Sequence, residues 1–318
     1  MPLLDIQNLK TYFNTRGGKV KAVDDVSFQI ERGDALGLAG ESGCGKTTTA
    51  LTIMNLLPSN AEVLSGKVFL NNVDLLAIDE EMFRKEVRMK QLSMVFQGAM
   101  NALNPVFRVG DQIRQGILTH EDITKEAAWE RVRELFSLVG INPDRAREYP
   151  HEFSGGMKQR VIIAMALSCN PDLVIADEPV TALDVIIQAQ ILELMRDLRE
   201  KLGLSMIMIT HDLSVIADTC NKTAIMYAGK IVEYASSIPI FKEPRHPYTQ
   251  GLIANFPSIS GELKGFEPIS GSPPNLISPP NGCRFHPRCS YAMGVCSKEE
   301  PETVELERGH FVSCHLMK

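Results

Sequence analysis

The segment Gly40-Glu41-Ser42-Gly43-Cys44-Gly45-Lys46-Thr47 sets glycines around one lysine and one threonine. Glycines let successive backbone N–H groups converge on phosphate oxygens, and a helix starting behind them turns its positive end toward the same anion. In that pattern Lys46 reaches the β- and γ-phosphates and Thr47 coordinates Mg²⁺. Gly40, Ser42, Gly43, Cys44, Gly45, Lys46, Thr47 and Thr48 therefore form a candidate triphosphate site. Further along, the apolar run Leu173-Val174-Ile175-Ala176 ends in Asp177-Glu178. Two adjacent carboxylates at a strand tip repel each other, a conflict that a bound cation and a water resolve. Asp177 suits the metal-holding role, and Glu178 that of general base on the attacking water. A third set is Cys283-x5-Cys289-x6-Cys296-x17-Cys314, four of the chain's seven cysteines, with His286, His310 and His315 nearby. In a reducing compartment these thiols suit a metal centre better than disulfides.

Such groups need a scaffold. Ala35 to Ala39 reads as the strand before the glycine loop, and Thr47 to Leu57 carries helical spacing with Pro58 just beyond. Leu3 to Phe13 and Val20 to Ile30 read as strands joined by the turn-rich Asn14 to Lys19, which predicts an antiparallel layer at the start. Between Asn104 and Pro150 the apolar positions Ala127, Val132, Leu135, Phe136, Leu138 and Val139 recur at helical spacing, predicting an inserted helical subdomain over about residues 98–160. A helix near Ser154, the strand Leu173 to Ala176, a helix from Val185 to Lys201 and a strand Ser205 to Thr210 restore the alternation of a largely parallel sheet. From Ser236 onward prolines at positions 239, 244, 247, 257, 268, 273, 274, 279, 280 and 287 break any long helix. A nucleotide-binding domain over 1–235 and a separate loop-rich region over 236–318 are expected.

The 318 residues are 44% hydrophobic and 23% charged, ordinary globular proportions. A net charge of -6 provides no global basic field, so nucleic acid is a poor candidate partner. The most apolar stretches, Val161 to Cys169 and Leu204 to Thr210, are far shorter than the roughly 20 residues of a membrane span. Met1-Pro2-Leu3-Leu4-Asp5-Ile6 lacks the pattern of an export signal, and a cytosolic location is expected.

Phe153-Ser154-Gly155-Gly156-Met157, shortly before the Asp-Glu strand, resembles the signature of ABC ATPases, although Ser-Gly-Gly before a helix is also an ordinary N-cap. The resemblance implies an α/β, ABC-type P-loop NTPase: a RecA-like core with an antiparallel β-subdomain and an inserted helical subdomain. It also implies a head-to-tail dimer in which Ser154, Gly155 and Gly156 contact the partner's ATP. Gln97 resembles the Q-loop residue that senses Mg²⁺ and water, Thr181-Ala182-Leu183-Asp184 resembles the D-loop, and His211 the switch histidine. Tyr12 is the candidate ring for stacking on adenine, with Phe13 adjacent. Met157, Phe153 and Val180 depart from the family's common residues, but none removes a chemical group, so the site is expected to hydrolyse ATP.

Arg245-His246-Pro247-Tyr248-Thr249-Gln250-Gly251-Leu252 resembles a segment of the ATP-binding subunits of dipeptide and oligopeptide importers, in particular the D-type subunit. That family implies a second homologous ATP-binding subunit as heterodimer partner, two transmembrane permeases and an extracytoplasmic peptide-binding protein, at the cytoplasmic face of the membrane. It also implies a [4Fe-4S] cluster on Cys283, Cys289, Cys296 and Cys314, with structural zinc as the alternative. Cys44, Cys169 and Cys220 are expected to pack passively. Nickel importers share the layout, and a soluble ABC ATPase outside transport is a further alternative, as is a regulatory module built on the cysteines.

Overall fold

A computed structural model describes residues 1–98, 102–254, 269–307 and 309–317. The chain forms two compact units, one of Met1–Leu76 with Met208–Lys318 and one of Ala77–Ile207.

The first unit opens with β1 (Leu4–Thr15) and β2 (Gly18–Ile30), paired antiparallel from Leu4 opposite Ile30 to Thr15 opposite Gly18. Toward its end β2 alternates strictly: Val26, Phe28 and Ile30 are buried while Ser27 and Gln29 face out, the period that buries one face of a sheet. β3 (Ala35–Ala39) is buried throughout and feeds the glycine loop and α1 (Lys46–Ile53). The helix ends four residues before the expected Leu57, because Asn55 turns into the left-handed region at φ 51°. β4 (Ala61–Leu70) and the short β5 (Val73–Asp74) complete a four-stranded sheet in the order β2-β1-β4-β5.

In the second unit β6 (Leu92–Val95) pairs parallel with β7 (Leu173–Asp177). Between them lie α2 (Val109–His120), α3 (Lys125–Leu138) and α4 (Gly155–Ala166), with α5 (Val185–Leu202) after β7. The inserted helices bury Ile113 and Ile117; of the positions read from the sequence, Val132, Leu135, Phe136 and Val139 are buried, Leu138 is half-buried and Ala127 is exposed. Thr124 caps α3 by accepting the Ala127 N–H at 3.1 Å. β8 (Ser205–Ile209) then carries the chain back to the first unit.

There α6 (Leu213–Thr219) packs on β3, where Gly37 leaves room that a side chain would take from Ile216. β9 (Lys222–Tyr227) runs parallel to β3, and β10 (Lys230–Ser236) returns antiparallel to β9. Prolines 239 and 247 sit within or at the start of short helices, α7 (Ser237–Lys242) and α8 (Pro247–Ala254), as their missing N–H requires. Prolines 257 and 268 lie outside the described residues. The C-terminal region is not only loops: β11 (Thr303–Glu307) and β12 (His310–Ser313) form a hairpin, and β12 pairs antiparallel with β10. The order β11-β12-β10-β9-β3 mixes antiparallel and parallel pairs, while the parallel pairing expected around Leu173 to Ala176 is found in β6 with β7.

Candidate nucleotide-binding and cysteine-lined sites

In the first unit the phosphate loop leaves β3 and enters α1 through left-handed glycines. Gly40 has φ 147°, and a Cβ there would meet the Met226 carbonyl oxygen at 2.0 Å; Gly45 has φ 110°, and its Cβ would meet the Ala22 carbonyl oxygen at 2.1 Å. Only glycine fits either position. Lys46 is buried, and its Nζ donates to the carbonyls of Gly40 at 2.7 Å and Glu41 at 3.0 Å. The loop thus folds around its own lysine. Ser42, Gly43 and Thr47 are exposed, Thr48 is half-buried, and Cys44 is buried, with its thiol pushed up by burial.

Glu41 has each of its polar groups committed. Its N–H donates to the Tyr248 hydroxyl at 2.9 Å, its carbonyl accepts from Lys46, and its carboxylate receives both ends of the Arg288 guanidinium at 2.6 and 2.9 Å. Arg288 lies over the Tyr227 ring, 5.7 Å from its centroid, and the Glu41 carboxylate beside it raises its pKa further. Tyr227, Tyr248 and Phe285 form an aromatic cluster with centroids 4.5 to 5.3 Å apart.

The candidate adenine ring, Tyr12 on β1, donates its hydroxyl to Asp24 at 2.8 Å, and burial together with that bond raises its pKa to about 12. Burial pushes the Asp24 carboxyl up, but the Tyr12 hydroxyl and the Arg284 guanidinium outweigh it and hold Asp24 low. Phe13 is likewise half-buried. His211 is exposed at the end of β8, followed by Asp212, which accepts the Ser214 N–H at the start of α6.

In the second unit Asp177 is buried at the tip of β7 and Glu178 half-buried beside it. Glu178 adopts φ 46° and Ala182 φ 67°, left-handed conformations that non-glycine residues take at an energetic cost of about 1 kcal/mol or more and that concentrate at functional sites. Gln97 donates to the Glu178 carboxylate at 2.8 Å and Thr181 donates to the same oxygen at 3.0 Å. Gln97 and Glu178, 81 residues apart, are thus brought together. Asp184 caps α5 through the Ile187 N–H at 3.0 Å. Ser154 is exposed and caps α4 through the Met157 N–H at 3.4 Å, while Gly155 is exposed. Gly156 is buried against α5, where a Cβ would meet Ile187 at 2.6 Å.

Returning to the first unit, Cys283, Cys289, Cys296 and Cys314 line one cavity of about 10 Å³, together with His246, His286 and His315. Burial raises the Cys283 thiol to about 11 and moves Cys289 and Cys314 upward as well. The crowding of these cysteines along the chain suggested a metal centre. It did not establish a metal centre: among the described residues no group of three or more His, Cys, Asp or Glu is placed to hold a metal ion. The expected metal-binding C-terminal domain, as [4Fe-4S] or zinc site, is therefore unsupported, because spacing along the chain does not determine where sulfurs point. Cys44, Cys169 and Cys220 are buried apart from this cavity.

Sequence reasoning missed Arg288, Arg284, Asp24 and the partners of Glu41, whose only signal was an arginine beside each of Cys283 and Cys289. It also missed Glu233, buried on β10, which accepts from the Arg245 and His246 N–H groups at 2.8 and 3.0 Å and pairs with His310 at 2.8 Å. This carboxylate organises the His-Pro-Tyr segment. His246 in turn accepts the Tyr248 N–H on Nδ1 at 3.0 Å, and its burial lowers its pKa to about 4.

The sequence matches the family described as ABC transporter over residues 23–181, and that described as oligopeptide/dipeptide transporter, C-terminal region, over residues 232–296. It is 47% identical to the dipeptide transport ATP-binding protein DppD of Bacillus subtilis, over 99% of this chain and 94% of that one. It is 44% identical to the oligopeptide transport ATP-binding protein OppD of Escherichia coli, over 98% and 92%. Among solved structures, a bacterial ABC transporter cassette determined as a dimer is similar with a TM-score of 0.65 at 25% identity, over 74% of this chain and 98% of that one. The fold is likewise similar to cbiO1 from Clostridium perfringens, with a TM-score of 0.66 at 24% identity over 76% and 91%. A glycine loop wrapped on its lysine, a strand tip carrying Asp177 and Glu178, and a matched C-terminal region place the chain in the ABC transporter family, among its dipeptide and oligopeptide ATP-binding subunits.

Proposed function

We propose that this chain is the ATP-hydrolysing subunit of an importer that moves dipeptides or oligopeptides across the cytoplasmic membrane. The observation that carries the reading is similarity to peptide transport ATP-binding proteins over 98% and 99% of the chain, cassette and C-terminal region together. Gly40, Ser42, Gly43, Cys44, Gly45, Thr47 and Thr48 present backbone N–H groups to the triphosphate, and Lys46 exchanges its carbonyl partners for β- and γ-phosphate oxygens. Tyr12 stacks on adenine. Thr47, Gln97 and Asp177 carry oxygen donors of the kind a hard cation takes; these residues would hold Mg²⁺, which would offset phosphate charge when bound. Glu178 accepts the proton of the water whose oxygen attacks the γ-phosphorus, while the bond to the ADP oxygen breaks. Gln97 orients the Glu178 carboxylate through their hydrogen bond. His211 orients the γ-phosphate.

Ser154, Gly155 and Gly156 close over the ATP of a second, homologous subunit, and Asp184 belongs to the D-loop at that interface. The domain reading is a nucleotide-binding domain over 1–235, with its helical subdomain over about 98–160, and an importer-type region over 236–318. Two permeases dock near Gln97 and Asn104 to Gly110, where Val106 and Phe107 are 71% and 57% exposed, and an extracytoplasmic binding protein delivers the peptide. Among the described residues no helix is long and apolar enough to cross a membrane. In this reading the permeases form the path, and the chain sits at their cytoplasmic face. Glu178→Gln in the purified complex tests the chemistry, with ATP still bound and turnover reduced by about 10²-fold or more. Co-purification of two permeases and a second ATPase supports import; their absence from a peptide-transporting membrane fraction overturns it.

For the cysteine cavity we infer a soft-metal role from donor chemistry alone, with [4Fe-4S] ahead of zinc because four thiols meet there without paired Cys-x2-Cys knuckles. Anaerobic purification with iron, sulfide and zinc assays decides between them, and a metal-free protein of full ATPase activity overturns the role.

A further inference from the structure

The phosphate loop contains left-handed glycines at 40, 43 and 45, so its backbone has unusual freedom to leave the shape that cradles phosphate. Glu41 is the residue in its first turn with a side chain long enough to tether it. That tether runs to the C-terminal region, in the same compact unit: the Glu41 N–H to Tyr248, its carboxylate to both ends of Arg288. Arg288 is itself immobilised. Its Nε donates to the Ser270 carbonyl at 2.8 Å, its Nη2 to the Gly271 carbonyl at 3.3 Å and its Nη1 to the Tyr227 hydroxyl at 3.3 Å. Its side chain is 7% exposed and that of Glu41 27%, so the ion pair is partly shielded from water and salt.

We propose that Arg288 and Tyr248 are positioning residues for the phosphate loop, through which the cysteine-lined C-terminal region sets the affinity of this chain for ATP. A loop already held in its binding shape loses less freedom when the triphosphate arrives, so the tether acts on binding more than on the chemical step. Arg288 adjoins Cys289 in sequence, and Arg284 adjoins Cys283. Arg284 pairs with one carboxylate oxygen of Asp24, whose other oxygen accepts from the Tyr12 hydroxyl and lies 3.9 Å from Lys10 Nζ. Any rearrangement of the cysteine cavity therefore pulls on arginines that grip two nucleotide-facing elements. The C-terminal region becomes a regulator of ATP binding by direct contact.

The inference rests on the ATP-site reading above, and the experiment separates the two. ATP KM and kcat are measured on the full-length protein in its transporter complex, with Lys46→Ala as the reference variant. Arg288→Gln is expected to raise KM on the order of tenfold, the scale of a charge-assisted bidentate pair, with a smaller fall in kcat. Arg288→Lys, which keeps the charge but not the fork, restores part of the loss. Tyr248→Phe raises KM less than Arg288→Gln does. Combining Arg288→Gln with Glu41→Gln is no worse than the poorer single variant, because both remove one interaction. If Lys46→Ala leaves ATP binding intact, the ATP-site reading fails. If Lys46→Ala abolishes binding while Arg288→Gln leaves KM unchanged, or lowers kcat and the melting temperature with no KM change, the positioning role is overturned.

Discussion

The phosphate loop and the start of the signature helix are both glycine-rich turns before helices, yet they are finished differently. At the loop, Lys46 is buried and bonded to two carbonyls, and Glu41 is bonded at its N–H, its carbonyl and its carboxylate. At the signature, Ser154 and Gly155 are exposed, and Ser154 caps its own helix at 3.4 Å. The first is a loop whose lysine and Glu41 find their partners within one compact unit. The second presents a helix N-terminus outward, the arrangement expected of a half-site that another subunit's anion completes.

Breaking the finished side has the largest expected effect. Lys46→Ala is expected to weaken ATP binding on the order of 10³-fold, since a charge pair at about 4 Å contributes roughly 4 kcal/mol at an effective dielectric of 20. Titration with a fluorescent ATP analogue measures it, and a change under tenfold would show that the loop binds through its backbone alone. Glu178→Gln is next, with turnover down about 10²-fold or more and binding retained, read by single-turnover hydrolysis.

Acid separates the regions further. His246 supports the loop through Tyr248 and has its pKa lowered from 6.5 to about 4 by burial. A depressed folded value means that its stabilisation is complete above pH 6.5 and is lost as the pH falls toward 4, because the unfolded chain takes up the proton first. The size is about 3 kcal/mol at most. Denaturant titrations between pH 7 and 4.5 should show the decline in wild type and a flatter profile in His246→Gln. An equal slope in both would assign the pH response elsewhere.

The smallest effect tests the half-site. Ser154→Ala removes one N-cap and should destabilise the chain by about 1 kcal/mol, while hydrolysis in the assembled pair falls by a larger factor than stability alone explains. Loss of stability with unchanged hydrolysis would reduce Ser154 to a cap.

The cassette was legible where function resides in contiguous residues. Gly40 to Thr47, Asp177-Glu178 and Ser154 to Gly156 each specify a local backbone shape, and the structure puts each on the strand end or helix start that its sequence implies. The legible pattern overran at α1, where Leu56 and Leu57 continue the apolar period but Asn55 has already left the helix. It fell short at β11 and β12, short strands read as loop because prolines dominate the region before them.

Sequence alone determined the chemistry available to this protein: one lysine among glycines, two carboxylates at a strand tip, four cysteines near the end. Those assignments depend on residue type and local backbone, which neighbouring residues largely control. Tertiary structure decided which distant groups meet. Arg288 reaches Glu41 across 247 positions, and Gln97 reaches Glu178 across 81, because sheet pairing and burial rather than spacing bring them together. Folding likewise brought four cysteines to one cavity without giving them a metal-holding arrangement, since side-chain direction is set by packing around them.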